Sequence, residues 1–431
     1  MSDSQPEERV SLYPCGADRS VTAISEGRLH SMDALRGSAI LLVVLGHSGI
    51  SLLRNPLPGV PWLVSDRSAS LWIDFLLGWI RTFCIPLFMA LAGFFAARSV
   101  QYLGPGGFLR SRGSRILLPL LLGSIVLLPV TFYVWSLGWF VSGRCTWNHI
   151  RRVVFDPCMQ AELYGFAHLW FLEYLFLYSL VYAGICRLFG DRLHRMLARA
   201  RRLPSMLLLL LLAIPAGLLH VLNPSLLYEA HNSFIPFPPR FVYHALFFAF
   251  GIVLHQVPER LEGWMRQRWH YLLASQGSYL CLWCIFPGYL QLSNGGLTTW
   301  AFAAVAALFA VLSIPTWFGV FQFLSQSTVT RMRPLTDASY WIYLVHFPIV
   351  GLLQIGCSLI RLPAVVKLAV VAGISIAVCL ASYSLLARNP AIAAYLSGRK
   401  PQSQPQDPVS ILKCDHAQRL PAESSSVAEG I

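Results

Sequence analysis

Residues 32–53 read MDALRGSAILLVVLGHSGISLL, an almost uninterrupted apolar run of 22 residues. An α-helix rises about 1.5 Å per residue, so a run of this length can cross the roughly 30 Å hydrocarbon core of a bilayer. Lipid offers no hydrogen bonds to an exposed backbone, and a continuous apolar run satisfies its own backbone best as a helix. The stretch therefore predicts a membrane-spanning helix.

Similar apolar runs recur along most of the chain. They predict ten spans: 32–53, 71–97, 116–136, 169–189, 206–222, 241–257, 271–291, 298–323, 338–359 and 364–386. The composition agrees, because 55% of the 431 residues are hydrophobic and only 12% are charged, whereas soluble domains carry about 25% charge. The predicted fold class is all-α, a polytopic integral membrane protein with about ten transmembrane helices.

The two ends of the chain are polar. Residues 1–28 lack the apolar core of a cleavable signal peptide, and residues 391–431 are rich in Pro, Gln and Ser. Segments of this composition bury too little apolar surface to fold. We expect two disordered tails, 1–28 and 391–431, around one membrane domain that covers residues 29–390.

The basic residues between the spans predict the orientation. The net charge is +13, and the connections after even-numbered spans hold fifteen arginines, against eight basic residues in the others. Positively charged loops stay in the cytoplasm, so both termini are expected there. Because the excess charge is dispersed over short loops, we expect no nucleic-acid partner.

The cysteines leave two alternatives open. Cys145 and Cys158 share one predicted outward loop, where they could form a disulfide or remain thiols. Cys281-x-x-Cys284 has the spacing of a metal site but lies inside an apolar run without a second ligand pair. No metal site is expected.

Ionisable side chains inside the spans are the strongest functional signal, because burying charge in a membrane is costly. Arg36 and His47 are eleven residues apart, close to three helical turns, so they share a face about 16 Å apart. Asp33 lies three residues before Arg36 and can hold its guanidinium group. Asp74 and Arg81, two turns apart, share a face of the second span.

Polar residues in three other segments extend this pattern. Two guanidinium groups suited to phosphate follow the second span, two histidines and a glutamate fall within or beside later spans, and a tryptophan lies beside one of them. These residues are Arg112, Arg115, His168, Trp170, Glu173 and His346. Together they predict a polar chamber enclosed by spans 1, 2, 4 and 9, although each arginine could be a membrane anchor and each histidine a helix-bridging core residue.

These segments together resemble the membrane acyltransferase-3 family. The His168 and His346 segments look most like the glucan biosynthesis protein C branch, and the resemblance covers roughly residues 28–388. The matching motifs are Asp33-Ala-Leu-Arg36 with His47, Pro86-Leu-Phe with Ala92-Gly93-Phe94-Phe95, Arg112-x-x-Arg115, His168-Leu-Trp170-Phe-Leu, and Ser339-Tyr340-x-x-Tyr343-x-x-His346.

The resemblance implies an O-acyltransferase of the bacterial cytoplasmic (inner) membrane. It would move an acetyl or succinyl group from cytoplasmic acyl-CoA to a hydroxyl of an extracytoplasmic or membrane-linked glycan. Acyl-CoA would be the donor substrate, with no permanently bound cofactor. The carbohydrate acceptor and membrane lipids would be partners. A separate periplasmic protein could supply further acceptor chemistry, because the chain lacks the hydrolase-like domain of fused family members.

We expect His47 to act as the general base, or to carry the acyl group covalently. The other expected catalytic residues are Arg36, Asp33, Glu173 and His346. Arg112, Arg115 and Arg81 would bind the coenzyme, and His168, Trp170 and Asp74 the acceptor.

The alternative function is a secondary transporter or exporter of a glycan, whose intramembrane charges would relay protons or substrate. The two halves of the chain show no match of the kind transporters often have. A purely structural membrane protein has no use for three buried histidines.

Overall fold

The computed structural model describes residues 19–57, 60–161, 163–227, 232–291, 296–324 and 326–389. Within these residues the fold is all-α and contains no strand, only an isolated bridge between Leu53 and Ser70. The predicted fold class is confirmed. The expected C-terminal tail, 391–431, lies outside the described residues. Of the expected N-terminal tail, 1–28, residues 1–18 lie outside them, and the first helix begins at Arg19.

Fourteen helices occupy the described residues, connected by short 3-10 turns and one π-helical turn. They are α1 (Arg19–Gly49), α2 (Leu71–Arg112), α3 (Leu118–Val141), α4 (Trp147–Arg152), α5 (Pro157–Ala161), α6 (Trp170–Ala200), α7 (Ser205–Leu222), α8 (Pro238–His255), α9 (Pro258–Arg266), α10 (Arg268–Gln291), α11 (Leu297–Phe323), α12 (Gln326–Arg331), α13 (Arg333–Ser358) and α14 (Ala364–Leu386).

Each of the ten predicted spans coincides with one long helix. Among the described residues, seven helical segments are long and apolar enough to cross a membrane, or eight if α8 and α9, which meet at a bend of 99°, form one broken span. One of these segments, Leu71–Val141, comprises both α2 and α3. The protein is therefore a multi-pass membrane protein, while the number of ten crossings and the positions of the termini stay predictions.

Two helices continue well past the predicted ends of their spans. α2 extends from residue 97 to Arg112 across Gly104, whose φ of 66° interrupts the helix just before Pro105. Glycine adopts this left-handed conformation without steric cost. α6 extends from residue 189 to Ala200 across a non-helical Phe189. Hydropathy missed both extensions because they carry arginines.

Two glycines allow α2 and α8 to pack with their backbones in contact. A Cβ atom at Gly93 would overlap the carbonyl oxygen of Phe248, and one at Gly251 would overlap the carbonyl oxygen of Ala90. Small residues at a crossing are the usual means of close helix packing in membranes. This crossing brings the two helices together beside the cavity described below.

The connection between α1 and α2, residues 53–70, is fixed by a buried ion pair. Lys367 of α14 donates to both carboxylate oxygens of Asp66, at 2.8 and 2.7 Å. Burial alone would raise the pKa of Asp66, but hydrogen bonds from Lys367 and Ser68 outweigh it and hold this pKa below its usual range. The connection is thereby held against the bundle.

Candidate active site

A cavity of about 490 Å³, referred to below as the central cavity, lies between α1, α2, α3, α6, α8 and α13. Along α1 it is lined by Arg36, Ile40, Val43, His47 and Ile50, the spacing of one helical face. The structure therefore confirms that Arg36 and His47 share a face. Arg81, Arg112, Arg115, His168 and Trp170 line the same cavity.

The central cavity has two distinct ends. Its first end, the arginine end, carries Arg36, Arg112 and Arg115. Arg112 lies within electrostatic range of both other arginines. Its second end, the loop end, is formed by connections between helices and includes Trp62 and Asn232. His47 lies between the two ends, about 16 Å along α1 from Arg36. Among the lining residues that the structure describes, none is acidic.

His47 is oriented by His346, which lies buried behind it in α13. Nδ1 of His346 lies 3.0 Å from the carbonyl oxygen of Ile342 and 2.8 Å from that of Tyr343. Because carbonyl oxygens can only accept, Nδ1 carries the proton and Nε2 of the neutral ring is an acceptor. Nδ1 of His47, 3.0 Å from that Nε2, is then the donor. The lone pair of His47 therefore resides on Nε2, the ring nitrogen that can act on a substrate.

A proline in α13 fixes the third histidine. Pro348 has no N–H, so the carbonyl oxygen of Leu344 loses its partner within the helix. Nε2 of His168 donates to this oxygen at 2.8 Å, and the hydroxyl of Tyr343 donates to the carbonyl oxygen of His168 at 2.6 Å. The ring of Phe347 stacks on His168 with centroids 4.8 Å apart and meets the edge of His47 at 5.0 Å. The histidines are thus held in one rigid arrangement.

The arginine end is built at the junction of α2 and α3. The helix changes to a π-helical turn over Gly113–Leu117, immediately after Arg112. Such turns are rare in proteins overall, but many of those that occur lie at functional sites. The guanidinium of Arg112 lies over the ring of Phe108 at 5.0 Å, and the hydroxyl of Tyr340 donates to the carbonyl oxygen of Arg115 at 2.9 Å. Asp33 contacts Arg36 at 3.4 Å, as its spacing predicts.

Arg81 interacts electrostatically with His47. It projects from α2 into the cavity wall, and among the lining arginines it is the one whose charge acts on the His47 ring. The sequence groups it with Arg112 and Arg115 at the coenzyme, whereas the charges with which it interacts are those of His47 and Arg240.

Four expected site residues, Asp33, Asp74, Glu173 and His346, are absent from the described lining of the central cavity. Asp33 and His346 contact lining residues, Arg36 and His47, whereas Asp74 and Glu173 have other surroundings. The carboxylate of Asp74 accepts from the backbone N–H groups of Arg54 and Asn55 at 2.8 and 3.1 Å, and from the Asn55 side chain at 2.7 Å. It therefore secures the connection between α1 and α2. Glu173 is buried in α6 and is absent from the described lining.

Other residues join the site that the sequence did not indicate. Arg240, Tyr243 and His244 of α8 line the central cavity. Arg240 directly precedes the predicted span 241–257 and is one of the eight basic residues counted between spans. The spacing of Arg240 and His244, one helical turn apart, is a signal that could have indicated both. Gln354 of α13 donates to the carbonyl oxygens of His47 and Ser48 at 2.9 and 3.0 Å.

The metal and disulfide alternatives find no matching geometry in the described chain. No group of three or more His, Cys, Asp or Glu side chains there could hold a metal ion. Cys281 and Cys284 are exposed thiols on α10. Cys145 is a buried thiol and Cys158 an exposed one, and they are not joined.

Comparison with known proteins identifies the family. No curated protein matches the chain, and no solved structure does either. Residues 29–384 match the family model described as an acyltransferase domain. Since the match covers most of the chain and all the cavity-lining helices, this multi-pass membrane protein is an acyltransferase and belongs to the acyltransferase-3 family.

Proposed function

We propose that the protein transfers an acetyl or succinyl group from acyl-CoA to a hydroxyl group of a glycan. The observation that carries this proposal is the central cavity itself. One continuous space joins three arginines at one end to a histidine with an available ring nitrogen, and then reaches the loop end. A donor and an acceptor can enter it from opposite ends and meet at His47.

Arginines 36, 112 and 115 are suited to the coenzyme. Planar guanidinium groups bind phosphate oxygens through two parallel hydrogen bonds, and several such groups together match a nucleotide with several phosphates. With the phosphates held there, the thin pantetheine arm would follow the α1 face that carries Ile40 and Val43. The thioester would then lie near His47.

The orientation of His47 supports base catalysis. Nε2 would take the proton from the acceptor hydroxyl as its oxygen attacks the thioester carbonyl carbon. The C–S bond then breaks, the ester bond remains, and the imidazolium returns its proton to the departing thiolate. His346 holds the ring through the Nδ1 proton, as the orienting residue of a catalytic triad does. Nε2 of His346 takes the place of the triad carboxylate, and two backbone carbonyl oxygens orient His346 in turn.

Arg81 is the best-placed group to stabilise the tetrahedral intermediate. The thioester carbonyl oxygen becomes negatively charged as the hydroxyl attacks, and a nearby cation in a cavity of low dielectric constant lowers that barrier strongly. Arg81 lines the cavity near His47 and acts electrostatically on its ring. Its role would thus be catalytic rather than coenzyme binding.

The proposed sidedness follows from loop charge. The arginine end would face the cytoplasm, where acyl-CoA is made available, and the loop end would face outward. The same proposal assigns the protein to the bacterial inner membrane and to the glucan biosynthesis protein C branch. Membership of an acyltransferase family speaks against the exporter alternative.

Turnover of acyl-CoA by purified protein in detergent tests this proposal. His47→Ala should abolish release of free coenzyme A in the presence of glycan, because no other lining group replaces Nε2 in its position. His194→Ala is the matched control, since His194 is exposed on α6 and does not line the cavity. Equal turnover in both variants would refute the catalytic role of His47.

A further inference from the structure

Three buried side chains on α7 and α8 carry polar atoms without a hydrogen-bond partner among the described residues. Tyr243 and His244 line the central cavity but take no part in holding His47. The hydroxyl of Tyr243, Nδ1 of His244 and both ring nitrogens of His220 have no hydrogen-bond partner among the described residues. All three side chains are more than nine-tenths buried.

These groups form one contiguous cluster. The ring centroids of His220 and Tyr243 are 4.7 Å apart, and those of Tyr243 and His244 are 5.2 Å apart. His244 stacks on the indole of Trp170 at 5.6 Å, and the guanidinium of Arg240 lies 5.7 Å from the same indole. The cluster therefore continues from α7 through α8 to Trp170 on the cavity wall.

Stability alone does not explain such a cluster. Buried polar groups in native proteins almost always have partners, because desolvating them without a hydrogen bond is unfavourable. Phenylalanine or leucine would fill the same space without this cost. Polar groups kept unsatisfied beside a reaction cavity point to a ligand that supplies their hydrogen bonds.

We propose that Tyr243, His244 and Trp170 form the binding subsite for the acceptor, with His220 supporting Tyr243 from behind. This inference rests on the proposed function. A sugar hydroxyl both donates and accepts, so it can pair with the tyrosine hydroxyl and with Nδ1 of His244. The indole offers a flat apolar surface to the C–H face of a sugar ring. The subsite determines which hydroxyl meets His47.

Tyr243→Phe should make the protein more stable and at the same time weaken its binding of the acceptor. Removing a hydroxyl that has no partner in the free protein should raise the thermal midpoint, while the loss of one hydrogen bond to the acceptor should raise the KM for acceptor about fivefold. Ser375→Ala is the matched control. Ser375 is fully buried in α14 with an equally unpaired hydroxyl, and it does not line the cavity. It should raise the midpoint and leave the KM unchanged.

The probe is the glycan fraction of the cell envelope, stripped of its esters by mild alkali, with labelled acyl-CoA as donor. A second variant, His244→Phe, keeps the stacking on Trp170 but removes the ring nitrogens, and it should raise the acceptor KM similarly. An unchanged acceptor KM in both variants, or a lowered midpoint in Tyr243→Phe, would overturn the subsite. Absence of transfer by the wild-type protein would instead refute the proposed function, and with it the subsite.

Discussion

His346 donates from Nδ1 to two carbonyl oxygens of its own helix and therefore presents an unprotonated Nε2 to His47. This chain of hydrogen bonds links residues 299 positions apart. It defines which nitrogen of His47 is basic. These hydrogen bonds determine whether His47 can act as a base, because a ring held in the other tautomer would present a proton to the substrate.

His346→Phe should lower kcat about 100-fold, since a misoriented general base loses most of its effect. The KM for acyl-CoA should stay unchanged, because His346 lies outside the cavity lining. Steady-state kinetics at several donor concentrations check both values. A kcat within twofold of wild type would show that His47 does not depend on His346 for its orientation.

Arg112→Ala should raise the KM for acyl-CoA about 10-fold or more, because hydrogen bonds between charged groups contribute roughly 1.5–3 kcal/mol each. Arg112→Lys should restore binding only in part, since lysine lacks the two-pronged geometry. Turnover of acyl-pantetheine, which has no nucleotide, should hardly change.

Arg110→Ala is the control for that measurement. Arg110 is exposed, two residues away in the same helix, and does not line the cavity. If Arg110→Ala and Arg112→Ala behave alike, Arg112 acts only through loop charge and topology.

The positions of the helices could be predicted from the sequence, but the contacts between them could not. Apolar runs located all ten long helices, because hydrophobic length is a local property. Arg240 was misassigned to a loop because only the packing of α8 against α2 shows that it reaches the cavity. Asp74 looked like an intramembrane site residue, yet it binds the backbone of residues 54 and 55. Its partners could not be known without the folded connection.

Gly93→Ala should destabilise the protein by about 1–3 kcal/mol, the usual cost of overpacking, because the added methyl group overlaps the backbone of α8. The thermal midpoint in detergent measures this effect. Gly184→Ala is the matched control in α6, where no atom lies within 4 Å of the added carbon. It should leave the midpoint unchanged or raise it. Equal midpoints for the two variants would contradict the close contact between α2 and α8.

The central cavity brings together side chains from six helices, α1, α2, α3, α6, α8 and α13. Residues of α1, α2, α6 and α13 were predicted to enclose a polar chamber, and the structure adds α3, α8 and the connections at the loop end. The sequence indicated most of the arginines and histidines that line the cavity, because ionisable residues stand out in apolar runs. It could not show that the space is continuous from the arginine end to the loop end, because that depends on how side chains from distant segments fill the interior.

Under the proposed function, acyl-CoA occupies this cavity from the arginine end to His47. Cysteine labelling at position 43 tests it most directly, in a background without native cysteines. Val43 lines the cavity between Arg36 and His47, whereas Asn148 is exposed on α4 outside it and serves as control. Acyl-CoA supplied on the cytoplasmic side should slow labelling of Val43→Cys at least tenfold and leave Asn148→Cys unaffected. Equal labelling of Val43→Cys with and without acyl-CoA would show that the coenzyme does not occupy the cavity beside α1.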